Sequence, residues 1–304
     1  MFGFLRNNRA GSSRTCLSQA PPQWSAAPEV PYEYGLYNEA SEQEYDDAED
    51  FCNKYPVQLP RILPSYVVEK ISNNGCRSWG IEMPPPGSRF SGTIHNIDTK
   101  PDSKTPPIVR VRTDRNCRDY CLLSDLPVMA GLYETPGKVG FYYEILIHRM
   151  DGFLAIGTAC QPYPTWRLPG WNRLSAGLHL DDFRKFFEDP SGGRDYTNAL
   201  QRISSGDTIG CGFEFQTGSL FYTYNGIRLP NAFTGIYLPR HNHDVYAAIG
   251  VEGLCDFDVN FGGELVKWPE GNEWQWKLDG IIRRLGYPCS GNSFDEELPS
   301  YSRT

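Results

Sequence analysis

From residue 139 onward the chain alternates short runs of β-branched and aromatic residues with tight-turn signals. The runs are 139–147 (VGFYYEILI), 152–158 (GFLAIGT), 208–215 (TIGCGFEF), 220–224 (LFYTY), 245–250 (VYAAIG) and 257–261 (FDVNF). Between them stand Met150-Asp151-Gly152, Gln216-Thr217-Gly218, Asn225-Gly226 and Glu252-Gly253, residue types that accept the positive φ of hairpin turns. This cadence, with no long helical period between the runs, predicts an antiparallel β-sandwich. The pair 208–215 and 220–224, joined by a Gln-Thr-Gly-Ser turn, predicts a hairpin. Upstream, Val109 to Thr113 alternates apolar and polar with period two, which suits a half-buried strand, with 121–124 as a weaker partner. Prolines at 60, 64, 84–86, 101, 106 and 107 limit 59–108 to short strands and turns, with edge strands or an extended lead-in expected at 77–81 and 92–97. After Trp268 the period lengthens. Trp276, Ile281, Ile282 and Leu285 fall at helical spacing, with Arg283 and Arg284 near the end and Gly286 as a stop.

The chain therefore divides into five stretches. Residues 1–58 form a disordered, acidic N-terminal segment, and 59–135 a proline-rich lead-in whose strands pack on the sandwich. Residues 136–268 form the sandwich itself, 269–286 a short C-terminal helix and 287–304 a tail. The net charge of −8 is concentrated: eight carboxylates between Pro31 and Tyr55 against Lys54 give −7 there, so the folded body is close to neutral. That argues against electrostatic capture of nucleic acid or an anionic membrane. Within the acidic stretch, Ser41 with Glu44 three residues later has capping-box spacing, so 38–54 reads either as a short amphipathic helix with Tyr45, Ala48, Phe51 and Cys52 on one side, or as a solvated linker.

Nine cysteines, an odd count without a CxxC pair, and no Asn-x-Ser/Thr acceptor predict a reduced, intracellular and soluble chain. No run approaches the ~18–20 apolar residues of a membrane span, so direct membrane insertion is not expected. A GxSxG elbow, a P-loop, an HExxH pair and a Cys/His pairing are all missing, and with them the usual signatures of catalysis. His241-x-His243 reads as a surface loop rather than a metal site. We expect no cofactor, no metal and no enzymatic activity.

Seven elements in fixed order, GFYYEILI (140–147), AIGT (155–158), RLPGW (167–171), GDTIGCG (206–212), FYTYNG (221–226), AFTG (232–235) and NFGG (260–263), together resemble a SPRY (B30.2/SPRY) domain. The RLPGW element and its surroundings resemble the branch that holds Ran-binding-protein-M-like scaffolds and the fungal SPRY adaptors of Rsp5-type ubiquitin ligases. The resemblance implies a concanavalin-like two-sheet sandwich whose loops at one end bind a peptide-like segment of a protein client. One departure is the segment 178–201, where Phe183, Phe186 and Phe187 make a usually glycine-rich stretch aromatic.

On that reading the candidate client contacts are Tyr163, Trp166, Arg167, Arg194 and Asn225, residue types enriched at binding hot spots or set in loops. Trp171 reads as a structural neighbour, and Trp166 as either a contact or a packing residue. A second element is duplicated: Leu63-Pro64-Ser65-Tyr66 and Leu298-Pro299-Ser300-Tyr301 are both LPxY. WW domains bind such motifs because Pro presets an extended backbone and Tyr fills a groove. The expectation is an adaptor, cytoplasmic and recruited to endosomal membranes through partners, that presents SPRY-bound clients to a WW-domain HECT ubiquitin ligase. The alternative is a scaffold subunit of Ran-binding-protein-M type.

Overall fold

The computed structural model describes residues 40–97, 108–133, 137–239 and 242–274. Residues 1–39 of the segment expected to be disordered, most of the C-terminal helix and the second LPxY motif (Leu298, Pro299, Tyr301) lie outside these residues; the rest of that N-terminal segment, 40–58, is ordered around a helix, because the capping signal at Ser41 starts one.

Among the described residues two α-helices precede the strands. Helix α1 (Glu42–Lys54) starts where the capping signal placed it: the Ser41 hydroxyl accepts the Glu44 N–H at 3.3 Å, and Glu42 and Glu44 occupy the positive end of the helix dipole. Helix α2 (Ser65–Asn74) stands where the proline density had predicted only strands and turns. The prolines flank a ten-residue window free of them. Pro64 sits at the N-cap, where its missing N–H costs nothing, and Gly75 at φ +57° ends the helix. Within that window Val67 and Ile71, four apart, point inward and are buried. Of 77–81, expected as an edge strand or extended lead-in, the first two residues close a 3₁₀ turn (Gly75–Ser78), Trp79 is extended and Ile81 makes an isolated bridge with Ser124.

The strands form two antiparallel sheets. They are β1 (Gly92–Ile97), β2 (Ile108–Thr113), β3 (Tyr120–Leu123), β4 (Gly140–Met150), β5 (Phe153–Cys160), β6 (Ser175–His179), β7 (Arg184–Phe187), β8 (Arg194–Asp195), β9 (Thr208–Glu214), β10 (Ser219–Tyr224), β11 (Ile227–Phe233), β12 (Val245–Glu252) and β13 (Cys255–Asn260). One sheet runs β1-β2-β13-β4-β9-β10-β11 and the other β3-β12-β5-β6-β7-β8. The lead-in strands are thus full sheet members: β2 pairs β13 and β3 pairs β12. The predicted hairpin forms with Ser219 opposite Glu214 and Tyr224 opposite Ile209. Asn225 and Gly226, at φ +50° and +84°, make the left-handed pair that joins β10 to β11. Strand β11 had no sequence signal because Pro230 interrupts it; as the sheet's last strand it tolerates a proline.

Alternate residues from the inner faces fill the core. Tyr143, Ile145, Phe213, Tyr222 and Phe257 of one sheet meet Leu154, Ile156, Leu178 and Ile249 of the other. Tyr143 also links the sheets through its hydroxyl, which donates to the Gly157 carbonyl at 2.5 Å. Among the described residues no helix is long and apolar enough to cross a membrane.

Candidate functional site

The loop between β5 and β6, which carries Tyr163, Trp166, Arg167 and Trp171, folds back over the outer face of the six-stranded sheet. Two turns build it: the Arg167 N–H bonds the Pro164 carbonyl at 3.0 Å, and the Trp171 N–H bonds the Leu168 carbonyl at 3.2 Å. Tyr163 is buried beneath the loop and donates its hydroxyl to the Leu168 carbonyl at 2.7 Å. Trp171 packs with Phe153, Ala155, Leu168 and Phe186, so its structural reading fits. Behind them His179 is fully enclosed, and burial pushes its pKa down to about 3. The ring is therefore neutral and its Nε2–H donates to the Pro169 carbonyl at 3.1 Å.

Arg167 is the unusual member. Its side chain is 1% exposed, its guanidinium stacks 4.5 Å from the Trp171 ring, and its Nε donates to Asn172 Oδ1 at 2.8 Å. Its Nη1 has no hydrogen-bond partner. A charged donor in this state carries a desolvation cost, and burial indeed lowers its pKa. Arg167 also lines a 450 Å³ cleft, together with Tyr45, Trp171, Asp181, Arg184 and Phe186.

Of the expected contacts, Trp166 is half-buried and Tyr163 and Arg167 are enclosed in the same loop. Arg194 is exposed on β8, at the far edge of that sheet. Asn225 is in the other sheet, where its side chain serves the turn: Nδ2 donates to Asp207 at 2.8 Å, and Oδ1 accepts the Thr208 N–H at 3.0 Å. The polar groups of Tyr163 and half-buried Asn225 are thus engaged in hydrogen bonds within the chain. Of the His-x-His pair, His243 is buried against Tyr237 and His241 lies outside the described residues.

What sequence reading missed is the cover on the loop. The acidic helix α1 rests on it. Trp166 Nε1–H points at the Glu44 carbonyl at 3.4 Å, and the Trp166 ring meets Phe51 edge-on at 5.5 Å. Asn172 Nδ2 donates to Glu49 at 3.0 Å. Arg173 donates to the Cys52 carbonyl at 2.6 Å and also to that of Tyr55, so it caps the negative end of α1. Arg89 pairs with Glu44. Asn172 and Arg173 directly follow the RLPGW element, but nothing local in the sequence marks them as the partners of a segment more than a hundred residues earlier.

Asp119 lies close to this contact. Burial, aided by repulsion from Glu252 and Glu44 and opposed by Arg167 and Arg89, raises its pKa to about 7. The folded state therefore binds the proton more readily than the unfolded chain. The stabilising contribution is full below the ordinary carboxylate range and is lost as pH rises through about 7. Asp119→Asn should raise the melting temperature by roughly 2–4 °C at pH 8, the equivalent of about 1 kcal/mol, with the gain shrinking toward pH 4. A gain independent of pH, read by calorimetry across that range, would contradict the assignment.

The described residues thus form an antiparallel two-sheet sandwich with the β5–β6 loop laid over one face of the six-stranded sheet. Residues 140–264 match the family model of the SPRY domain, and the chain carries that domain. It is 30% identical over 175 residues to Protein ssh4 of Sclerotinia sclerotiorum, covering 56% of this chain and 30% of that protein. Over 174 residues it is 32% identical to a SPRY domain-containing protein of Schizosaccharomyces pombe, covering 57% and 41%. With the Ran-binding proteins 9/10 homolog of Drosophila melanogaster it shares 33% identity over 171 residues, covering 54% and 17%. The chain thus spans less than half the length of each of these relatives.

Proposed function

We propose that the chain is an adaptor: its SPRY domain holds a protein client on the Trp166–Arg167 loop, and its LPxY motifs recruit a WW-domain HECT ubiquitin ligase. The observation that carries the ligase half is the first motif. Tyr66 is 70% exposed, and Pro64 has the extended φ/ψ of −54° and 145°. A buried strand there would have closed the motif; here Tyr66 is exposed on the first turn of α2, and that turn must unwind for Ser65 and Tyr66 to extend into a WW groove. Leu63 is half-buried and its N–H is held by the Tyr133 hydroxyl at 2.8 Å, so this copy offers chiefly Pro64 and Tyr66. Two weak motifs on one chain gain through effective concentration.

The test is a pulldown with recombinant WW domains. The native chain should bind, Tyr66→Ala and Tyr301→Ala should each weaken retention, and the double variant should abolish it. Unchanged retention by the double variant, or none by the native chain, ends the ligase reading. For the client half, proteins retained from a lysate by the native chain should be lost with Trp166→Ala at an unchanged melting temperature. The second reading, a scaffold subunit of Ran-binding-protein-M type, draws support from the Drosophila similarity and needs no WW contact.

A further inference from the structure

The client loop already has an occupant, and the way it sits says what else would fit. Helix α1 carries Glu42, Glu44, Asp46, Asp47, Glu49 and Asp50 against Lys54, a net charge of −5. The face beneath it offers Arg89, Arg167 and Arg173, with Trp166 and Asn172 between them. Yet α1 buries one side chain of its own, Ala48. Thirteen residues are marginal as an isolated helix, so the helix is held by this polar grip and by its short connection to α2. The fit is also incomplete. Buried Arg167 keeps an Nη1 without an acceptor although Glu44 and Glu49 act on its charge, and the 450 Å³ cleft beside the first turn of α1 remains open. An optimised partner of a buried guanidinium would supply that missing acceptor.

We infer that the Arg89–Trp166–Arg173 face is a receptor for acidic peptides bearing an aromatic residue, and that α1 is its tethered surrogate, exchanged for a client that gives Arg167 a carboxylate and Trp166 a ring. This rests on the client-binding reading of the loop and adds the ligand class and the resident competitor. The tether places α1 at an effective concentration on the order of millimolar, so an incoming peptide must outcompete it.

A fluorescent peptide of residues 41–55 serves as probe, with anisotropy as the readout and the full chain as receptor. Glu44→Lys with Phe51→Ala removes the Arg89 pair and the Trp166 ring contact and should release α1. The peptide should bind this variant roughly tenfold or more tighter than the native chain. Binding should fall as salt rises and vanish when Trp166→Ala and Arg173→Ala are added. A folded double variant that binds the peptide no better than the native chain overturns the proposal. A second measurement requires no variant: in the native chain, amide exchange of α1 should be far faster than that of β5 and β12, and equal protection would equally overturn it. The two readings separate cleanly. Peptide binding to the released face with lysate capture indifferent to Trp166→Ala leaves the receptor and removes the client role. Capture that depends on Trp166, without peptide binding, removes the surrogate.

Discussion

Phe257→Ala should lower the melting temperature by about 6–20 °C, the equivalent of the ~3–5 kcal/mol that a fully buried phenylalanine costs on truncation in a domain of this size. Phe257 is 0% exposed, sits on β13 opposite Val111 of β2 and Ile147 of β4, and belongs to the core cluster that residues of both sheets build. The next residue points the other way. Asp258 faces outward, where it pairs with Arg110 at 3.2 Å and accepts from His148 at 2.7 Å. Asp258→Ala leaves Arg110 its other partner, Asp256, so its effect should be about 1 kcal/mol or less. Calorimetry on the two variants reads the strand's alternation directly. Comparable losses at 257 and 258 would mean that the inward and outward faces have been misassigned.

That alternation is what the sequence made visible. Strands β4, β5, β9, β10, β12 and β13 are long, bounded by turns and rich in branched and aromatic residues, so a local window suffices to find them. The elements that escaped are those whose reason lies outside such a window. Helix α2 hides among prolines that turned out to flank it rather than interrupt it. Strand β11 contains Pro230 and survives because the sheet ends there. Strands β7 and β8 occupy the aromatic segment whose Phe186 stacks on His179 at 4.0 Å, a contact set by the neighbouring strand. The candidate site was half legible. Trp166 and Arg167 were found by residue type, but that Arg167 is sealed against Trp171, and that the acidic segment folds back on the loop, are long-range facts. Capping chemistry gave the start of α1 without giving its docking partner.

Gly177→Ala should cost about 3 kcal/mol, the upper end of overpacking, and lower the melting temperature by about 6–12 °C. The β5–β6 loop crosses β6 so closely at this residue that an added Cβ would lie 2.1 Å from the Pro169 carbonyl oxygen and 2.8 Å from its carbon. Both are backbone atoms, so no side chain can swing away to relieve the overlap. The loop cannot yield cheaply either. The same carbonyl receives the His179 Nε2–H, and the adjoining Gly170, at φ +99°, would itself drive a Cβ to 2.4 Å from the Cβ of Phe186. The substitution must therefore lift the loop, and with it Trp166, Asn172 and Arg173, which grip α1. Alongside the thermal shift, amide protection of α1 should fall toward that of a free helix while β4 and β9 in the opposite sheet keep theirs. A variant with native melting temperature and native α1 protection would show that the Pro169–Gly177 crossing does not position the loop. Loss of protection in α1 together with a preserved seven-stranded sheet ties the glycine in β6 to the placement of the β5–β6 loop and the docking of α1 rather than to folding alone.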